Sequence, residues 1–130
     1  FNIGVGLITF AYNNQRIFQT YYLSNNSLQS YMSESSSRFI DYMKTDPLLA
    51  LLEVQRLESL INDMWIYTYG LATIICTNPH VEVLSTYLDQ LESTGNRLIT
   101  YHLFSSGNIE KCFSLISQSA HKCRQSDSIK

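Results

Sequence analysis

Charge is what this sequence has least of. Only 15% of its 130 residues are Asp, Glu, Lys or Arg, and its nine Lys and Arg are scattered along the chain against eleven Asp and Glu. With a formal net charge of -2 and no basic stripe, the chain lacks the electrostatic footprint of a nucleic-acid-binding surface. Cysteine is scarce and odd in number (Cys76, Cys112, Cys123), which argues against a disulfide framework and for a reducing, cytoplasmic setting. No long hydrophobic run is present: the most apolar stretch, 65–76, is too short and too rich in tyrosine to span a bilayer, so no membrane partner is expected. The opening has no basic region of the kind that precedes a signal peptide. The chain starts at Phe1 in the middle of a pattern, as expected where an N-terminal portion lies outside it.

The chemistry of a catalyst is also missing. Gly4-Val5-Gly6 lacks the rest of a dinucleotide or phosphate-binding signature. His80, His102 and His121 fall at helix ends or in the tail, with no Ser or Cys set up as their nucleophile. His80 reads as solvent-facing, and His102 as a residue that complements the dipole at a helix C-terminus. Cys112, His121 and Cys123 match no common zinc spacing. No two carboxylates pair on one helix face, and Glu53 and Glu58 beside Arg56 read as a solvated flank. The expectation is a protein without enzymatic activity, cofactor or metal.

What the chain does have is helical periodicity, with no convincing strand alternation. Residues 1–12 read as a helix in spite of Gly4 and Gly6, which suggest close backbone approach. Asn14 is a candidate cap for a short helix over 15–23. A third helical region covers 27–44. Asp46-Pro47 and Asn78-Pro79 each place a capping residue before a proline suited to a first helical turn. Between them a turn at 48–52 precedes one long helix from about Val54 to Thr77. A second long helix follows to about His102, then a loop at 105–108 and a last helix over 109–122, before a polar tail.

The two long helices carry surplus apolar surface. Leu57, Leu60, Ile61, Met64, Leu71 and Ile75 form one ordinary stripe, yet from Met64 onward apolar and aromatic residues surround the helix, and such a helix must be covered on every side. On the next helix, Leu84, Leu88, Leu91, Gly95 and Leu98 recur at spacings of four and three, with Tyr87 beside them, as in a two-helix register. Together with Ile74 and Ile75 these residues are the expected interface of a homodimer, two helices from each subunit forming a four-helix bundle. The alternative is that all of them fill the core of a monomeric bundle.

The segment DMWIYTYGLATIICTN at 63–78 resembles the penultimate helix of the C-terminal domain of TetR-type transcriptional regulators, in the subgroup with a tryptophan followed by His-Gly-Leu-Ala. Trp65 and Gly70-Leu71-Ala72 match, and Tyr69 stands where that subgroup has histidine. LESTGNRLI at 91–99 is similar to the last helix of that domain, and ITFAY at 8–12 followed by Ile17-Phe18 is similar to its opening, with Asn14 in place of proline. The resemblance covers roughly 1–103. It implies a regulatory unit at 1–104, an additional helix and tail at 105–130, and an all-α bundle of about six helices. It also implies that DNA is contacted only through a helix-turn-helix outside this chain. The function implied is sensing of a small, largely apolar effector, coupled through the dimer to DNA release. Tyr12, Phe18, Tyr21, Tyr22, Phe39, Tyr42, Met43, Trp65 and Tyr69 are the expected lining of the effector cavity. The other reading is a constitutive dimerisation or adaptor module in which these side chains only fill the core.

Overall fold

A computed structural model describes residues 2–23, 37–78, 82–107 and 110–117. These residues form an all-α bundle, with no strand among them. Helix α1 is Asn2–Asn13; α2 is Gln15–Phe18, continued by a π-helical turn over Gln19–Leu23. Helix α3 occupies 37–43, a short 3-10 turn Leu49–Leu51, α4 Val54–Thr77, α5 Leu84–Ser105, and α6 110–117.

Local chemistry sets the boundaries. Asp46 Oδ1 accepts from the backbone N–H groups of Leu48 and Leu49 at 2.8 and 3.1 Å, so the aspartate before Pro47 caps its turn as expected. Helix α4 ends at Asn78, whose extended backbone (φ -84, ψ 127) is the conformation a following proline imposes. The next helix does not start at that proline but at Leu84, after an extended Val83. Helix α5 outlasts its expected end at His102 by a turn and stops before Gly107, whose φ of 76 only glycine adopts readily. Asn14 does not cap α2: its side-chain N–H donates backwards to the Phe10 carbonyl at 3.1 Å, closing the end of α1.

Helix α4, roughly 36 Å long at 1.5 Å per residue, is the element the others pack against. Helix α1 runs parallel to it. Gly4 lies beside Thr68, and the Cys76 thiol points at the Ala11 carbonyl, 3.7 Å away. Gly4 serves the close approach its sequence suggested, since a Cβ there would sit 3.3 Å from Leu91 Cδ2. Gly6 does not, because nothing lies within 4 Å of its equivalent position. Helix α5 runs antiparallel to α4. Arg56, near the start of α4, donates to the Ser105 hydroxyl and carbonyl at the end of α5 (2.9 and 2.8 Å), while Glu53 and Glu58 beside it are exposed, as expected of a solvated flank.

Two buried clusters form along α4. At its C-terminal half Ile8, Ala11, Phe18, Leu71, Ala72, Ile75, Cys76, Tyr87 and Leu91 join α1, α2 and α5. At its N-terminal half Ile40, Leu52, Leu57, Leu60, Leu103 and Cys112 join α3, the 3-10 turn, α5 and α6. Helix α6, expected as an addition beyond the main unit, therefore puts Cys112 into the same core. Parts of the expected helices at 27–44 and 109–122, together with Tyr31, Met32, His80, His121, Cys123 and the tail, lie outside the described residues.

Leu57 is fully buried in the second cluster. Leu57→Ala removes its side chain from a site with no solvent access, and urea unfolding should show a loss of about 2–5 kcal/mol.

Candidate functional site

The aromatic residues expected to line one cavity divide between places. Phe18, from α2, is fully buried. Its ring stacks on Tyr22 (centroids 4.9 Å apart, planes at 22°) and is tilted against Tyr69 of α4 at 6.2 Å. Phe10 meets Tyr22 edge-on at 6.2 Å, as does Tyr21 at 5.4 Å. Tyr12 is half-buried against the same cluster. These rings gather because α1 and α2 are joined by a single residue, Asn14, which folds α2 back over the C-terminal half of α4.

The other expected lining residues are elsewhere. Met43 packs on the second cluster and Phe39 sits on α3, one residue before the buried Ile40. Tyr42 is 77% exposed and Tyr21, despite its ring contact, is largely exposed. Trp65 is half-buried one turn before Tyr69; among the described residues Phe18 makes its ring contacts with Tyr22 and Tyr69, not with Trp65. One site built from all nine side chains is therefore corrected to a smaller one at the junction of α1, α2 and α4.

Two polar contacts fasten that junction. The Tyr69 hydroxyl donates to the Tyr22 carbonyl at 3.0 Å, within the π-helical turn, and the Gln19 side-chain N–H donates to the Cys76 carbonyl in the last turn of α4. A π-turn leaves carbonyls out of the regular helical ladder, and these are the groups a side chain can reach. The Tyr69 side chain thus ends on the backbone of the π-turn. Burial pushes the Cys76 thiol pKa up, so the thiol stays protonated and is no nucleophile. The site offers flat apolar faces, one hydroxyl and one carbonyl. Those groups can orient a ligand but supply no acid–base or nucleophilic chemistry.

The expected dimer seam is used inside the chain. Ile75, Tyr87 and Leu91 are buried in the first cluster, where Leu84 and Leu88 pack beside them; Leu98 packs against the second. Gly95 is buried facing Met64, whose terminal methyl lies 3.8 Å from where a Cβ would be. Of the expected interface, Ile75, Tyr87, Leu91 and Gly95 are buried within the chain, Leu84, Leu88 and Leu98 are half-buried, and Ile74 is 51% exposed. The four-and-three spacing of α5 thus serves, at least at Tyr87, Leu91 and Gly95, packing within the chain.

Sequence reasoning missed one buried polar pair. His102, in the last turn of α5 as expected, is 5% exposed, and its Nε2 lies 3.0 Å from Asp63 Oδ2. A carboxylate accepts, so Nε2 carries the proton and donates. His102 Nδ1 is buried with no polar partner among the described residues. The two residues are 39 apart in sequence, and only the antiparallel register of α4 and α5 joins them. Among the described residues no three His, Cys, Asp or Glu side chains group as a metal site, and no helix is long and apolar enough to cross a membrane.

Comparison with protein-family models, with curated proteins and with solved structures finds no match to this chain.

Asp63→Ala strips the buried His102 of its acceptor and should cost about 1–3 kcal/mol in urea unfolding, toward the low end because Asp63 is partly solvated. Asp63→Asn keeps an acceptor oxygen and should recover most of that loss.

Proposed function

We propose that this chain is the effector-sensing and dimerising domain of a TetR-type transcriptional regulator, with the ring cluster of Phe18, Tyr22 and Tyr69 as its sensing site. The observation that carries this reading is the Tyr69 hydroxyl held on the π-turn carbonyl of Tyr22, directly beside the Phe18–Tyr22 stack. Tyr69 occupies the position where the resembling subgroup has histidine, and here it ties the helix that resembles the regulators' penultimate helix to the segment that moves if the stack opens. A small, flat, largely apolar effector replaces the Tyr22 ring on Phe18 and releases α2 from α4. Coupling to DNA runs through a helix-turn-helix outside this chain, in a cytoplasmic homodimer.

Magnitudes make such a site workable. An aromatic pair contributes about 0.5–1.5 kcal/mol beyond its buried area, and a neutral hydrogen bond contributes about as much. Opening the site thus costs on the order of 1–3 kcal/mol before any ligand contact. An effector recovers that cost by burying its own apolar surface, and its apparent affinity falls by roughly ten- to a hundredfold for the closed fraction. Only an effector that prefers the opened arrangement shifts the equilibrium.

The second reading, a constitutive helical dimerisation or adaptor module, is favoured by one observation: Phe18 is wholly covered, as a core residue is. A panel of small aromatic hydrocarbons and indoles, followed by calorimetry and thermal unfolding, separates the two. On the sensing reading, wild type binds a member of the panel, Tyr22→Ala binds it more tightly because the slot is already open, and Phe18→Ala loses it. Binding by Tyr22→Ala alone, with none by wild type, identifies a filled core with an engineered hole and supports the constitutive module.

A further inference from the structure

The ring cluster at the junction of α1, α2 and α4 is walled by elements almost without charge. From Asn2 to Leu23 the one charged side chain is Arg16, which is exposed, and from Met64 to Asn78 there is none. Helix α5 reaches the cluster through Tyr87 and Leu91, while its acids Asp89 and Glu92 are exposed. The ring that lies flat on Phe18, at 4.9 Å and 22°, is itself a phenol, the side chain of Tyr22.

We propose that the site takes a small neutral phenol, which replaces the Tyr22 ring on Phe18 and pairs its hydroxyl with that of Tyr69. The inference rests on the sensing reading above and names the class of effector that this site selects. Shape comes from the rings. The place Tyr22 vacates is bounded by the Phe18 face, with Tyr69 tilted at 41° to it and Phe10 set edge-on to the plane Tyr22 occupied, so it fits one flat ring.

Hydrogen bonding follows from what opening undoes. In the closed site the Tyr69 hydroxyl donates to the Tyr22 carbonyl. When α2 leaves α4 that carbonyl goes with it, and the Tyr69 hydroxyl stays in the wall of α4 without its acceptor. A covered polar group without a partner is costly, and a ligand hydroxyl serves it as donor or acceptor. A hydrocarbon of the same shape leaves it unpaired.

Charge is disfavoured in either sign. An anion would meet no cation in the walls, Arg16 being exposed, and a charge buried without a partner costs more than ring stacking returns. A cation is drawn to ring faces, but no carboxylate stands within 2–23 or 64–78 to pair with it.

Calorimetry on the full chain with four ligands of nearly one size tests this: p-cresol, toluene, p-toluate and p-methylbenzylammonium. Wild type should bind p-cresol roughly fivefold more tightly than toluene, the return on one neutral hydrogen bond, and should bind either ion about a hundredfold more weakly than p-cresol. Tyr69→Phe removes the hydroxyl and little else, and should bring p-cresol and toluene to within about twofold of each other. Equal binding of toluene and p-cresol by wild type, or a preference for p-cresol that survives Tyr69→Phe, overturns the phenol and leaves the sensing reading standing. Binding of either ion as tightly as p-cresol overturns the neutral class in the same way. If none of the four binds, or if Phe18→Leu binds p-cresol as well as wild type does, the sensing site falls together with its ligand.

Discussion

A 24-residue helix with no charge in its last fourteen residues has to be covered on nearly every side, and the arrangement of this protein follows from that requirement. Helix α1 covers one side by being small where it touches: Gly4 admits Leu91 and Thr68, and Ala11 admits the Cys76 thiol. Helix α5 covers a second side, its leucines spent on α4 and α1. The π-turn after α2 covers a third, hooked by Tyr69 and Gln19. Among the described residues, Ile66, Gly70 and Ile74 are left exposed in this half of α4.

The two ends of α4 are made of different material. Its N-terminal half is an aliphatic core closed by α3, α5 and α6, and Cys112 makes α6 a wall of that core. Its C-terminal half is aromatic, with stacked rings whose alignment depends on the hydrogen bond from Tyr69 to a backbone carbonyl. Aliphatic side chains interlock and resist opening, whereas a stack of flat rings can part along one plane and accept another flat molecule. The proposed sensing site lies at the aromatic end for that reason. Asp63 and His102 tie α4 to α5 in the N-terminal half.

Much of the fold was legible in the sequence, and the limits of that legibility are physical. Asp46-Pro47 marked its turn and Asn78-Pro79 the end of α4, though not the start of α5, because proline restricts the residue before it wherever it occurs. The start of α4 at Val54 followed from its periodicity. Periodicity also exposed the leucine seam of α5, but a period states only that a face is buried. Whether Leu84, Leu91 and Leu98 meet the same chain or another depends on how α1 folds back, which no local pattern records. The Asp63–His102 pair was missed for a related reason: the partners lie 39 residues apart, and no local pattern joins them. Of the nine candidate lining residues, those on α2 and α4 came together and those on α3 did not, because α3 packs at the opposite end of α4.

Hydrogen exchange of the full chain tests most directly whether α4 is the element on which the rest depends. Amides within α4 from Leu60 to Ile75 should be the slowest in the protein, opening only by global unfolding, with those of α2 and its π-turn exchanging through a cheaper local opening. If the amides of α4 exchange by local opening while α5 stays protected, the helix is not the support proposed for it, and the account of the site falls with it.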